Sequence, residues 1–159
     1  MTVISLLQPW AQLVVLGAKK IETRSWNTAF RGELLIHASL GKHYGSGKDK
    51  ISCRELCYRT QFSDFIDGGN GFDKLPFGAI IGKVNMVGTF PTEMCQMPMG
   101  LELRKWWNSG NLVDWTEQEE AFGDFSHNRF GWILNDAVKF DKPIPAKGRQ
   151  GFWNYEFTQ

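Results

Sequence analysis

The densest run of chemistry-bearing side chains is Gly17-Ala18-Lys19-Lys20-Ile21-Glu22-Thr23-Arg24-Ser25-Trp26. On an extended strand successive side chains alternate between faces, so Glu22, Arg24 and Trp26 point one way. Lys19, at the corner before the strand, reaches the same face. A carboxylate flanked by a lysine and an arginine stays ionised and holds both cations in place for an incoming anion or carbonyl. Such a trio binds, and with little change it catalyses, the carboxylate serving as base and the cations as clamp. The same residues also fit a surface ion-pair ladder worth ~0–1 kcal/mol. Spacing alone therefore leaves binding, catalysis and plain solvated charge all open.

A second polar group closes the chain, Lys147-Gly148-Arg149-Gln150-Gly151. Its glycines let backbone N–H groups approach a phosphate, and Lys147 and Arg149 supply charge. The same composition suits a turn between two strands. Other clusters are weaker. Cys53 and Cys57, four apart, share one helix face, and with His43 they do not reproduce the spacing of a zinc module, so reduced structural thiols are expected and no metal or cofactor is called for. Gly45-x-Gly47-Lys48 is too short for a phosphate-binding P-loop. Trp106, Trp107 and Trp115 have the ring area to stack bases, but Asp114, Glu117, Glu119 and Glu120 beside them would repel a phosphate backbone. A core or lid role suits those tryptophans better. Trp10 and Trp26 lie beside the cations instead.

The elements that must position these groups follow from hydrophobic periodicity. Thr2 to Leu7 predicts a short strand ending at Gln8-Pro9, and 9–18 a helix with Trp10, Leu13, Val14 and Gly17 on one stripe. Ile21 to Trp26 alternates as a strand, and the nearly continuous apolar run from Glu33 to Ala38 predicts a strand covered on both sides. Gly41 to Lys50 predicts a loop and Ile51 to Phe65 a helix. Ala79 to Phe90 predicts a strand with a bulge at Gly82 or Gly88, and a short helix is expected around 99–108. Gly131 to Phe140, bounded by Pro143 and Pro145, and Phe152 to Phe157 complete the strands. The outcome is a mostly β, α+β fold: a small barrel of about six strands, which removes exposed edges, with two or three peripheral helices.

A length of 159 residues fits one compact domain, and 42% apolar with 22% charged residues excludes a disordered tail, a fibre and a simple coiled coil. No apolar run approaches the ~18 residues of a membrane span, and the start of the chain has no signal-peptide pattern, so a cytoplasmic protein without a membrane partner is expected. The net charge of +1 hides a partition. Residues 1–60 carry nine basic against four acidic side chains, 61–138 five against eleven, and 139–159 four against two. If the fold joins the two basic ends, they form one positive face for a phosphate-bearing partner.

Three further stretches frame a resemblance. The series Ser5-Leu6-Leu7-Gln8-Pro9-Trp10-Ala11, Gly17-x-Lys19-x-x-Glu22-x-Arg24 and Arg31-Gly32-Glu33-Leu34-Leu35-Ile36-His37-Ala38-Ser39 resembles the signature of the ASCH domain family, in particular its transcriptional-coactivator branch. Phe77-Gly78-Ala79-Ile80-Ile81-Gly82-Lys83-Val84, Phe130-Gly131-Trp132 and Lys147-Gly148-x-x-Gly151-Phe152-Trp153 extend it over the whole chain, apart from insertions at about 40–75 and 91–128.

The resemblance implies a PUA-like barrel with a helix after the first strand, lining a cleft suited to RNA or a modified nucleotide. Lys19, Glu22 and Arg24 match the family's cleft motif, Gln8, Pro9 and Trp10 match the segment facing it, and His37 and Ser39 end the neighbouring strand. The loop with Lys147 and Arg149 would be a second contact. A small bacterial branch hydrolyses N4-acetylcytidine with a lysine and a threonine nucleophile; this chain has Glu22 at the threonine position. A carboxylate is a poor nucleophile toward an amide but a competent base for water. Three functions therefore stand: binding of RNA, another nucleic acid or a nucleotide-like ligand through Gln8, Trp10, Lys19, Glu22, Arg24, Trp26, His37, Ser39, Lys147 and Arg149; hydrolysis of RNA or a modified nucleoside with Lys19, Glu22 and Arg24 catalytic; or interaction alone, with the partner on the Trp- and Met-rich insertion.

Overall fold

The computed structural model describes residues 1–96 and 116–157. The expected helix around 99–108, and Trp106, Trp107 and Trp115, lie outside the described residues. The elements run β1 (Thr2–Leu6), α1 (Trp10–Val15), β2 (Ile21–Arg24), β3 (Gly32–Ala38), β4 (His43–Tyr44), β5 (Ile51–Ser52), α2 (Cys53–Cys57), α3 (Thr60–Ser63), β6 (Ala79–Pro91), α4 (Glu117–Phe122), β7 (Phe130–Pro145) and β8 (Phe152–Asn154). Among the described residues no helix is long and apolar enough to cross a membrane.

Six strands form one strongly curled sheet in the order β2-β7-β6-β3-β1-β8, and β4 pairs with β5 separately. β1 and β3 run parallel, and the other neighbours antiparallel. The fold is α+β, and the curl is a half-barrel rather than the closed barrel expected, because β2 and β8 end the order without pairing to each other. Aromatic side chains span that seam: Trp26, just past β2, packs edge-on to Phe152 of β8 at 5.2 Å and to Trp132 of β7 at 4.6 Å between centroids. The main core lies inside the curl, where α1 sets Ala11, Val14 and Val15 against Ile4, Leu6, Leu34, Ile36, Ile81, Val84 and Trp132. The apolar run of β3 is buried on both faces, Leu35 joining Val3, Ile80 and Trp153 in a second cluster on the outer side.

Several expected boundaries move for local reasons. The helix over Ile51 to Phe65 is two short helices, because Ile51 and Ser52 pair with β4 and Arg59 is extended between α2 and α3. Ser52 caps α2, its hydroxyl accepting from the Arg54 N–H. The loop over 41–50 contains β4 and a 3₁₀ turn. The bulge expected at Gly82 or Gly88 has a counterpart at each, since the β6–β7 register shifts just before Gly82 and just before Gly88, and once more between Lys83 and Asn85. A methyl group on Gly82 would sit 2.4 Å from the Val138 carbonyl oxygen, so only glycine lets β7 pass there. β7 continues through Pro143 and Pro145 because β2 pairs with it only as far as Ile133, leaving one edge where a missing N–H costs nothing. The last strand stops at Asn154, after which Tyr155 exchanges backbone hydrogen bonds with Met1.

Candidate ligand-binding cavity

The corner between α1 and β2 builds the site. α1 ends in a paired cap: Gly17, at φ +73°, donates to the Val14 carbonyl, and Ala18 donates to the Leu13 carbonyl. A left-handed glycine at that point reverses the chain, so Lys19 turns back toward the sheet and its own N–H also reaches the Leu13 carbonyl. The Lys19 side chain is 1% exposed. Its ammonium donates to the Ile21 carbonyl and lies 3.7 Å from Glu22 Oε2. The other carboxylate oxygen of Glu22 lies 3.0 Å from Arg24 Nε. The N–H there is not aimed at the oxygen, so this is an ion pair rather than an aligned hydrogen bond. Arg24 Nη2 donates to the Ser5 carbonyl at 3.3 Å, and the guanidinium lies 5.9 Å from the Trp132 ring centre. The three side chains are thus a connected row, as their spacing implied.

That row forms one wall of a cavity of about 710 Å³, within the roughly 300–1,000 Å³ range of small-molecule sites. Trp10, Trp26 and Ser39 also line it. The Trp10 ring is fixed by its Nε1–H, which donates to the Phe122 carbonyl at 2.7 Å, and by Tyr44, 4.9 Å away. Cations Lys19, Arg24, Arg59 and Arg129 face carboxylates Glu22, Asp49 and Asp124 around the wall. The charges nearly balance, and Arg129 is committed to Asp124 at 3.4 Å. Burial lowers the Lys19 ammonium from its ordinary value, against the opposing pull of Glu22 and Glu119.

Four expected contributors lie elsewhere. Gln8 is fully buried and ties the start of α1 to the loop before β6, its Nε2 donating to the Pro76 carbonyl and its Oε1 accepting from the Gln12 N–H. His37 is buried on the outer face, bonded to Ser5 Oγ at 3.1 Å and to the Ala146 carbonyl at 3.0 Å, with burial pushing its imidazole below the usual value. Parallel pairing of β1 with β3 puts Ser5 opposite His37, and strand alternation then sends both side chains away from the core. Lys147 and Arg149 are exposed on either side of Gly148, which packs over the His37 ring, and neither lines the cavity. Cys53 and Cys57 are buried on α2, the Cys57 thiol pushed up to about 11 by desolvation.

Sequence reasoning missed the opposite wall. Tyr44, Ile51, Leu56, Arg59 and Phe62 come from the segment taken as an insertion, and Phe122 from α4. The helical spacing of Ile51, Leu56, Phe62 and Phe65 is the mark that the sequence carries of this wall.

A strongly curled half-barrel whose first helix-to-strand corner presents a Lys–Glu–Arg row to a half-enclosed cavity defines the class of small α+β domain to which this chain belongs. The chain belongs to the ASCH domain family, whose model matches residues 4–124. It is 34% identical over 153 residues to activating signal cointegrator 1 of Mus musculus and 33% identical over 156 residues to that of Homo sapiens, covering 96% of this chain in each case. The chain spans 22% of the length of those relatives. The crystal structure of ASCH from Zymomonas mobilis aligns over 90% of this chain and 71% of its own, with 16% identity and a TM-score of 0.45.

Proposed function

We propose that the cavity binds a nucleotide-like ligand, either a modified nucleotide or one unit of an RNA chain. The observation that carries this is the Lys19–Glu22–Arg24 row on the wall of a half-enclosed cavity that Trp10 and Trp26 also line. Arg24 offers donors and Glu22 acceptors at neighbouring points, the pattern that reads the polar edge of a base, and a fixed aromatic face beside them suits stacking. The near balance of wall charge favours a short ligand over a long polyanion held along its backbone. Phosphate contact at Arg59 makes the binding salt-sensitive. Purified protein is incubated with a panel of RNAs, DNAs and modified nucleosides, with retention and product mass read together. Arg24→Ala that stays folded loses retention; unchanged retention overturns the assignment.

A second reading, hydrolysis of RNA or of a modified nucleoside, draws on the 3.7 Å contact between Glu22 and a buried lysine whose proton is loosened by desolvation. Glu22 takes a proton from water and Lys19 holds the developing charge. Glu22→Gln then keeps retention but yields no product. Equal turnover in that variant removes Glu22 from the chemistry.

A further inference from the structure

We propose that Glu119, on α4, is a positioning residue for the Lys19–Glu22–Arg24 row: its carboxylate spans the backbone N–H groups of Lys20 and Ile21, while Lys19 grips the carbonyl of the same Ile21. The peptide that joins the helix corner to β2 is therefore held from both ends by opposite charges. Glu119 is 98 residues or more away in sequence and 3% exposed, a carboxylate that is almost never buried without such partners.

The rest of α4 serves the same attachment. Gln118 Nε2 donates to the Ala18 carbonyl at 3.1 Å, and the Phe122 carbonyl accepts from Trp10. Past the helix, the Asp124 N–H donates to Thr23 Oγ1 at 3.0 Å and Arg129 donates to the Thr23 carbonyl. β2 is an edge strand, and these bonds take the place of the missing neighbour along it. Glu119 alone among them also acts on the ionisation of Lys19. The charged groups acting on Lys19 are Glu22 and Arg24 on β2 and Glu119 on α4, and Lys20 and the β7 residue Asp136 line a smaller neighbouring cavity with it. Burial raises the Glu119 carboxyl, and Lys19 is the first of the groups that oppose that rise. α4 thus sets both where the row stands and how readily its lysine holds a proton.

The inference rests on the row being the binding site for its functional meaning, but its test needs no ligand. NMR titration of the Lys19 Cε resonance is compared in wild type, Glu119→Gln and the control Glu117→Gln on the exposed face of α4. Removing one of the two carboxylates that favour the ammonium moves the Lys19 midpoint downward in Glu119→Gln and leaves it in place in Glu117→Gln. An unmoved midpoint in folded Glu119→Gln overturns the proposal. Should that variant fail to fold, wild type alone decides: the Lys20 and Ile21 amide protons shift together with the Glu119 carboxyl carbon as it titrates, and amides blind to that titration overturn the proposal. A panel that retains nothing in the binding assay would count against the functional reading while leaving these outcomes untouched.

Discussion

Two polar clusters flank β1, and they spend their hydrogen bonds in opposite ways. On the outer face, Trp153 can only donate and the Ala146 carbonyl can only accept, which fixes a one-way chain: Trp153 Nε1–H to Ser5 Oγ, the Ser5 hydroxyl to His37 Nδ1, and His37 Nε2–H to Ala146. Every group is used, and Gly148 seals the top. Around the cavity, Arg24 makes one aligned bond to Ser5 and one unaligned ion pair, and Glu22 is held by ion pairs to the two cations beside it. The first cluster is finished without a ligand. The second keeps donors and acceptors at a surface that water reaches, and that difference, rather than residue type, separates a structural histidine from the arginine proposed to bind.

The sharpest way to break this contrast is Glu22→Ala, which leaves Lys19 buried with Glu119 as its remaining counter-charge. Breaking a buried pair costs roughly 3–5 kcal/mol, and the lower end, about 3, is expected here because Glu119 stays. Urea unfolding measures it. The loss shrinks as pH rises: Lys19 binds its proton less tightly folded than unfolded, so its penalty is full below the lowered folded value and is relieved between there and 10.5.

Gly148→Ala probes the sealed cluster. The new methyl would stand 2.4 Å from His37 Cε1 and 3.0 Å from Ser5 Oγ, and overpacking of that kind costs about 1–3 kcal/mol. Thermal unfolding should show the loss, with ligand retention unchanged once the protein is folded.

A smaller effect, about 1 kcal/mol, is expected from acid. His37 has a folded value below its ordinary 6.5, so its contribution is complete above 6.5 and is lost as pH falls from 6.5 through the lowered value. Glu119 works with the opposite sign, its raised carboxyl making stability fall as pH rises above 4.5. The difference in urea midpoint between wild type and His37→Gln from pH 7.5 to 5.5 isolates the histidine. A difference that stays flat contradicts the neutral chain.

Least of all in stability, and most in function, is Arg24→Ala. The side chain is 26% exposed and its ion pair is worth under about 1 kcal/mol. Retention should be lost while the unfolding midpoint barely moves.

The Lys–Glu–Arg row was legible because strand alternation is local and the corner glycine announces itself. The strand covered on both sides over Glu33 to Ala38 made the burial of His37 legible, but not that it lies away from the cavity. Parity says that it opposes Ile36, and nothing in one chain says which face curls inward. Gln8 looked available beside Trp10, yet its amide is consumed by Pro76, a partner 68 residues on. Glu119 stands in an acidic run that in sequence signals only repulsion of a phosphate backbone. Its role depends on a contact across most of the chain, which no periodicity encodes. The barrel-like six-strand sheet followed from strand count, whereas the missing ladder did not, because a three-residue strand and a four-residue strand leave little sequence to show that they fail to meet.

That unzipped seam has a mechanical meaning. The girth of a fully laddered barrel is fixed by how many strands it has and by their stagger. Here the last gap is spanned by ring faces, with Trp26 both a seam contact and a cavity wall. Rings slide over one another without an amide having to be released, so the girth of the sheet can change at this seam while all five of its ladders stay intact.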